Sequence, residues 1–242
     1  MASHTAHNFA FAAILAAAVC LSVADDARAD MEDDPLLLTV LLDQIEARDA
    51  GGDDTLSWDV QGWLGKDLRK IWFKADGERS AGSTDEAELQ FLYSKAIARY
   101  WDFQLGVRHD FKPSPSRSWA VIGLKGLAPY FFDIDAAAFI GESGRVALRF
   151  EAEYEMLLTQ RLILSPEIEI NLYGQNDPDA GTGSGLSDIE VGLRLRYEFR
   201  REFAPYVGVN WTRLFGNSAD LARITAQDTS EAQLVIGLRA WF

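Results

Sequence analysis

Along most of the chain, apolar and polar residues take turns. The cleanest stretch places Leu148, Phe150, Ala152, Tyr154 and Met156 against Arg149, Glu151, Glu153 and Glu155. Period-two alternation of this kind describes a β-strand with one apolar and one polar face. The pattern recurs. Leu56, Trp58, Val60 and Leu64 oppose Ser57, Asp59 and Gln61, and Ile71, Phe73 and Ala75 oppose Lys70, Lys74, Asp76 and Glu78. Leu89, Phe91 and Tyr93 face away from Glu88, Gln90 and Ser94, and Phe103, Leu105 and Val107 from Asp102, Gln104 and Arg108. Further runs centre on Ile45, Ile122, Ile134, Ile170, Val191 and Val209, and the chain closes on Leu234, Ile236, Leu238, Ala240 and Phe242 against Gln233, Gly237 and Arg239.

Turn chemistry separates these runs. Polar segments near 49–54, 80–84, 112–117, 175–185 and 214–228 are expected to be long loops, and stretches such as Lys66-Asp67 and Ala98–Trp101 short turns. Two prolines, Pro113 and Pro115, cannot both serve a ladder, so 112–116 is a loop. The total is about twelve strands, with long and short connections alternating. Runs of about ten alternating residues in even number are the signature of an all-β fold, a transmembrane antiparallel β-barrel. The competing fold is a soluble sandwich or small barrel, whose apolar face points inward. Against it stand charges of both signs on one strand face, able to pair inside a lumen, and an apolar final strand that would be an aggregation-prone edge if left open. A terminal Phe on an alternating strand also resembles the sorting signal of outer-membrane barrels.

The one long apolar run, Phe9–Ala24, precedes a small-x-small site at Ala27-Arg28-Ala29. Residues 1–29 are therefore expected to be a secretory signal peptide, although Met1–Asn8 contains no Lys or Arg. Residues 30–35 form a short acidic lead expected to be disordered, and 36–242 a single barrel domain. Without the leader the chain has 22 Lys and Arg against 35 Asp and Glu, a net charge of −13. That balance excludes a nucleic-acid partner, which needs a basic patch, and suits a lumen that attracts cations. No cysteine remains for a disulfide or thiolate site, since Cys20 lies in the leader.

No catalytic constellation stands out, and the chain is not expected to be an enzyme. His109, beside Asp110, is the one histidine after the leader and could act as a general base, but without a Ser motif it reads as a rim residue. The carboxylates Glu151, Glu153 and Glu155 with Glu167 and Glu169 are more distinctive. On adjacent strands they would face one another in the lumen and recruit a cation or an arginine, and Arg149, Arg194 and Arg196 share their face. A structural salt-bridge plug and a cation path both remain open.

Several stretches carry a family resemblance. They include Leu41-Leu42-Asp43-Gln44, the run Trp58–Gly65, Lys74–Arg79, Asp110–Pro113, Gly126–Tyr130, Asn171–Gly174, Gly183–Val209, Gly216–Arg223 and the final Trp241-Phe242. Together they resemble the copper resistance protein B family of bacterial copper-resistance systems over about residues 36–242. The resemblance implies an outer-membrane location in contact with lipid, a role in copper homeostasis by copper binding or export, and periplasmic copper-resistance proteins as partners. Copper is the ion it implies. Family members carry a Met- and His-rich segment before the barrel, suited to copper through thioether and imidazole ligands. Here that place holds Asp30–Pro35, where Met31 is the single soft ligand and Asp33 and Asp34 are hard ones. Candidate metal contacts are thus Met31, Asp33, Asp34, His109 and the Glu151–Glu169 carboxylates, and the alternative is a small cation- or substrate-selective channel without a metal-binding role.

Overall fold

The computed structural model describes residues 34–49, 55–80 and 82–242. The expected signal peptide and most of the acidic lead, Met31 and Asp33 included, lie outside the described residues. Residues Leu36–Phe242 form one unit, a closed antiparallel barrel of twelve strands. In chain order they are β1 (Leu37–Asp49), β2 (Thr55–Lys66), β3 (Arg69–Ser80), β4 (Ser83–Ala98), β5 (Trp101–Lys112), β6 (Arg117–Ala128), β7 (Phe132–Gly141) and β8 (Val146–Tyr154). Then follow the two-residue β9 (Met156–Leu157), β10 (Leu162–Tyr173), β11 (Gly185–Tyr197), β12 (Phe203–Leu214) and β13 (Ser230–Trp241). β8 and β9 both pair with β10, so β9 is the tail of the eighth strand, interrupted at Glu155.

Each strand pairs with its neighbour in sequence, and β13 returns to β1, with Leu41 opposite Trp241 and Asp49 opposite Leu234. Beyond the ladder proper, Val40 and Phe242 exchange both main-chain hydrogen bonds, at 3.0 and 2.9 Å. Phe242 thus completes the ring, and among the described residues no sheet edge is left for another chain to pair with.

The apolar faces point outward. Phe91, Leu105, Val107, Leu193, Val207 and Ile236 are all exposed. A soluble sheet would bury that face, and so large an apolar surface suits lipid rather than water. Polar positions of the same strands turn into the lumen. Alternation breaks once on β1, where the register shifts between Leu42 and Gln44. The bulge lets consecutive residues, Asp43 and Gln44, both point inward, which regular pleating forbids. Asp43 accepts from Gln61 at 3.1 Å, and Gln44 donates to Glu167 at 3.0 Å.

The two ends differ. The barrel begins at Leu37 and closes at Trp241 at one end, with the connections 67–68, 99–100, 129–131, 158–161 and 198–202; the other end carries the connections 113–116, 142–145, 174–184 and 215–229 and the turn after Ser80. The short turns carry aromatic residues in the left-handed backbone region, Tyr100 (φ 68°), Tyr130 (φ 67°) and Phe131 (φ 66°). All three are exposed, with Phe199, Phe203, Trp241 and Phe242 near them in the same rim. Two expected loops take other forms. The 80–84 segment is a tight hairpin, because β3 and β4 keep pairing out to Ser80 and Ser83. The 214–228 segment contains a helix, α1 (Gly216–Ile224), which buries Ser218, Ala219 and Ala222.

Candidate functional site in the barrel lumen

The lumen is not evenly filled. One wall is packed with apolar residues at inward positions: Leu92 on β4, Trp119 and Val121 on β6, Phe139 on β7 and Ala147 on β8. The guanidinium of Arg108 lies 4.7 Å from the Phe139 ring centre and that of Arg149 5.7 Å, so two cations lean on the apolar fill. The indole of Trp119 donates to Asp110 at 2.8 Å.

The opposite wall is filled by ions. Glu46 on β1 is fully buried, at 0% exposure. It accepts from Arg48 at 2.9 Å, from Arg194 of β11 at 2.5 Å and from the Tyr206 hydroxyl of β12 at 3.0 Å. Arg194 also reaches Glu167 at 2.6 Å and Gln44 at 3.1 Å. These bonds tie β1 to β10, β11 and β12, across the seam where the ring closes.

Between the walls lie two cavities. The central one, of about 330 Å³, is lined by thirteen carboxylates and five cationic side chains. Each of the five is already engaged. Lys74 and Lys125 hold Asp135 at 2.5 and 3.2 Å, and Arg149 holds Glu88 at 3.1 Å and Glu169 at 3.5 Å. Arg239 holds Asp43 at 2.9 Å, and Arg48 holds Glu46 and Glu190 at 2.9 and 3.3 Å. In contrast, Asp59, Asp76, Glu86, Asp133 and Glu151 line the same cavity with no ion pair within 4.0 Å among the described residues. The second cavity, of about 360 Å³, sits at the loop end with nine carboxylates and six cations. The two share Arg48, Glu78, Glu86, Glu88, Arg149, Glu169 and Glu190 as a common boundary. Negative charge is therefore concentrated in the centre.

The carboxylate ladder takes its place across β8 and β10, with Glu153 opposite Glu167 and Glu151 opposite Glu169. Its members have different fates. Glu167 meets Arg194, Glu155 meets Arg196 at 2.8 Å and Arg239 at 3.0 Å, and Glu153 meets Arg239 at 3.5 Å. Glu151 keeps no such partner, and Glu169 accepts from Asn171 at 2.7 Å besides its pair with Arg149. His109 stands apart from the lumen, on the outward face of β5. Its Nδ1 lies 2.9 Å from the Ser118 hydroxyl, and its ring packs edge-on to Phe111 at 4.6 Å. Met156 also faces outward and is exposed. Asp34 is exposed before β1. Among the described residues no three His, Cys, Asp or Glu side chains converge to hold a metal ion.

What sequence reasoning passed over is the apolar fill, the Glu46 network and the pairing of Arg239 with Asp43, Glu153 and Glu155. The first had a signal: continuous apolar runs such as Trp119–Ile122 and Ala136–Ile140 place apolar residues on both faces of a strand. The Asp43 bulge had one too, since two polar residues in succession break the alternation.

A family model for the copper resistance protein B precursor matches residues 36–242. Over 200 residues the chain is 50% identical to a copper resistance protein B homolog of Pseudomonas syringae pv. tomato, covering 83% of this chain and 68% of that protein. It is 45% identical over 212 residues to copper resistance protein B of Escherichia coli, covering 88% and 72%. The barrel is similar in fold to the NanC porin, with a TM-score of 0.56 at 12% identity over 84% of this chain and 99% of that one. The KdgM porin gives a TM-score of 0.52 over the same shares, also at 12% identity.

Proposed function

The chain belongs to the copper resistance protein B family, and from that premise we propose that it sits in the bacterial outer membrane and lets copper pass, as cargo, through its lumen. The location is supported by the outward apolar face, the aromatic rim and a fold similar to outer-membrane porins. One observation carries the conduit: five carboxylates with no ion pair among the described residues line a central cavity whose every cation is neutralised by a partner. A lumen of that sign, walled by low-dielectric protein, concentrates cations.

The donor set argues for passage rather than storage. Carboxylate oxygens are hard ligands that suit Ca²⁺ and Mg²⁺ and hold Cu(II) by charge, whereas Cu(I) wants thioether or thiolate. The one histidine and the one methionine among the described residues, His109 and Met156, face away from both cavities. Copper-selective binding would therefore depend on Met31 and the acidic lead, most of which lies outside the described residues. In this reading the chain performs no catalysis, lipid surrounds its apolar band, and periplasmic copper-resistance proteins meet it at the short-turn end.

The test is copper tolerance in a strain lacking its own such barrel. The full chain should restore growth on copper, and the triple variant Asp59→Asn, Asp76→Asn, Glu151→Gln should fail to do so at equal levels of folded barrel. Full rescue by the triple variant would remove the charge argument. The fold likeness to two porins favours a second reading, a small cation channel with no metal role. That protein would conduct cations in a planar bilayer yet leave copper tolerance unchanged.

A further inference from the structure

The connection between β10 and β11, residues 174–184, does not stand away from the barrel. Asp177 and Thr182 pair through their main chains at 2.8 and 3.1 Å, making a small internal hairpin. The Asp177 carboxylate takes both nitrogens of a fork from Arg117, each at 2.8 Å, and a third contact from Arg145 at 3.4 Å. Arg117 begins β6 and Arg145 precedes β8, so the loop leans from β10 past β8 to a strand three places away. Asp177 and Arg117 are each 7% exposed, burial that strengthens a charged pair relative to a surface one. Arg117 also donates to the Pro115 carbonyl at 2.8 Å, so the same guanidinium fixes the β5–β6 connection.

The other side of the loop rests on α1. The Gly183 amide donates to the Ser218 hydroxyl at 2.7 Å, and Asn217 donates to Ser184 at 2.8 Å and Asn176 at 3.2 Å. A Cβ at Gly183 would lie 2.2 Å from the Ser218 nitrogen, so only glycine fits that seat. Gly174 and Gly185 flank the loop, and Gly185 holds a left-handed φ of 91°. Beneath the loop lies the loop-end cavity, bounded by Asp177, Gly181 and Thr182 above and by Arg48, Glu78 and Glu190 from β1, β3 and β11.

We propose that residues 174–184 form a gate over the loop-end cavity, latched by Asp177 to Arg117 and Arg145 and seated on α1, and that this gate sets the size of solute reaching the central cavity. The latch and the seat use different chemistry, ionic at one end and, at the other, neutral hydrogen bonds with a close fit at Gly183. Swinging the loop about Gly174 and Gly185 breaks three charged contacts and three hydrogen bonds to α1, and leaves the barrel ladder intact. The gate is independent of which cation the lumen favours.

The test is single-channel recording of the full chain refolded into planar bilayers, with heat-modifiable gel mobility as the check on folding. Asp177→Asn keeps the size of the side chain and removes its charge. It should raise the fraction of time spent in a larger conductance level by roughly tenfold, the ratio expected from losing about one charge-assisted hydrogen bond. Gly183→Leu loosens the opposite end without changing charge and should act in the same direction. Uptake of a neutral trisaccharide into liposomes should rise in both. If folded Asp177→Asn and Gly183→Leu both show wild-type conductance levels and wild-type uptake, the loop is no gate and the proposal fails. Loss of copper tolerance rescue with an intact gating response would instead count against the conduit reading alone.

Discussion

Between β4 and β8 the interior is packed as in a soluble protein, with Leu92, Trp119, Val121, Phe139 and Ala147 in mutual contact. Between β10 and β1 the lumen is filled by Glu46, Arg48, Arg194, Glu167 and Tyr206. A barrel of twelve strands is too wide for its walls to meet, so something must fill or line it. The apolar side does so by excluding water and needs no geometry beyond shape. The ionic side depends on every member being satisfied, because an orphaned charge at zero exposure is costly. The two solutions should therefore fail differently.

The largest effect is expected at Glu46. Glu46→Ala leaves the Tyr206 hydroxyl without its acceptor and takes one carboxylate from each of Arg48 and Arg194, which keep Glu190 and Glu167, and should destabilise the refolded barrel by about 3–5 kcal/mol in urea unfolding. The double variant Glu46→Leu, Arg194→Met removes both members of the closest pair but leaves Glu167 and the Tyr206 hydroxyl without theirs, so it should recover only part of that loss. A double variant as weak as Glu46→Ala alone would mean that charge, and not mere satisfaction, holds the seam. Next comes the apolar wall. Phe139→Ala should cost about 3 kcal/mol, at the low end for such truncations because water can enter from the adjoining cavity. No double substitution should rescue it, as no partner is left unpaired. Smallest is Lys125→Met, which leaves Asp135 still held by Lys74 at 2.5 Å. Its cost should be about 1 kcal/mol or less by the same unfolding measurement, and a larger loss would show that both ammonium groups are needed.

The contrast also explains what the sequence discloses. Outward positions are mostly apolar, with exceptions such as His109 and Ser118 near the loop end, because lipid asks the same of each of them, so the twelve strands and their facing follow from alternation alone. The Glu151–Glu169 ladder was legible for the same reason, since neighbouring strands pair in register. Inward positions answer to particular neighbours. Glu46 and Arg194 are 148 residues apart, and Arg117 and Asp177 are 60 apart. No periodicity links such residues. Helix α1 was hidden by brevity, nine residues with a buried stripe of only Ser218, Ala219 and Ala222. The expected loop at 80–84 failed because Ser83 and Thr84, polar and turn-forming in isolation, extend a ladder already built by β3.

The short-turn rim spends backbone comfort on position. Tyr100, Tyr130 and Phe131 occupy a conformation that glycine or asparagine would adopt with less strain, at about 1 kcal/mol each for a bulkier residue. Amphipathic and aromatic rings at that level prefer the boundary between headgroups and acyl chains. The turns thus work as a draught mark on a hull. They fix how deep the barrel floats, and with it which length of each strand meets lipid. Stability measured in a detergent micelle, which has no fixed waterline, registers the strain of these turns and misses the benefit.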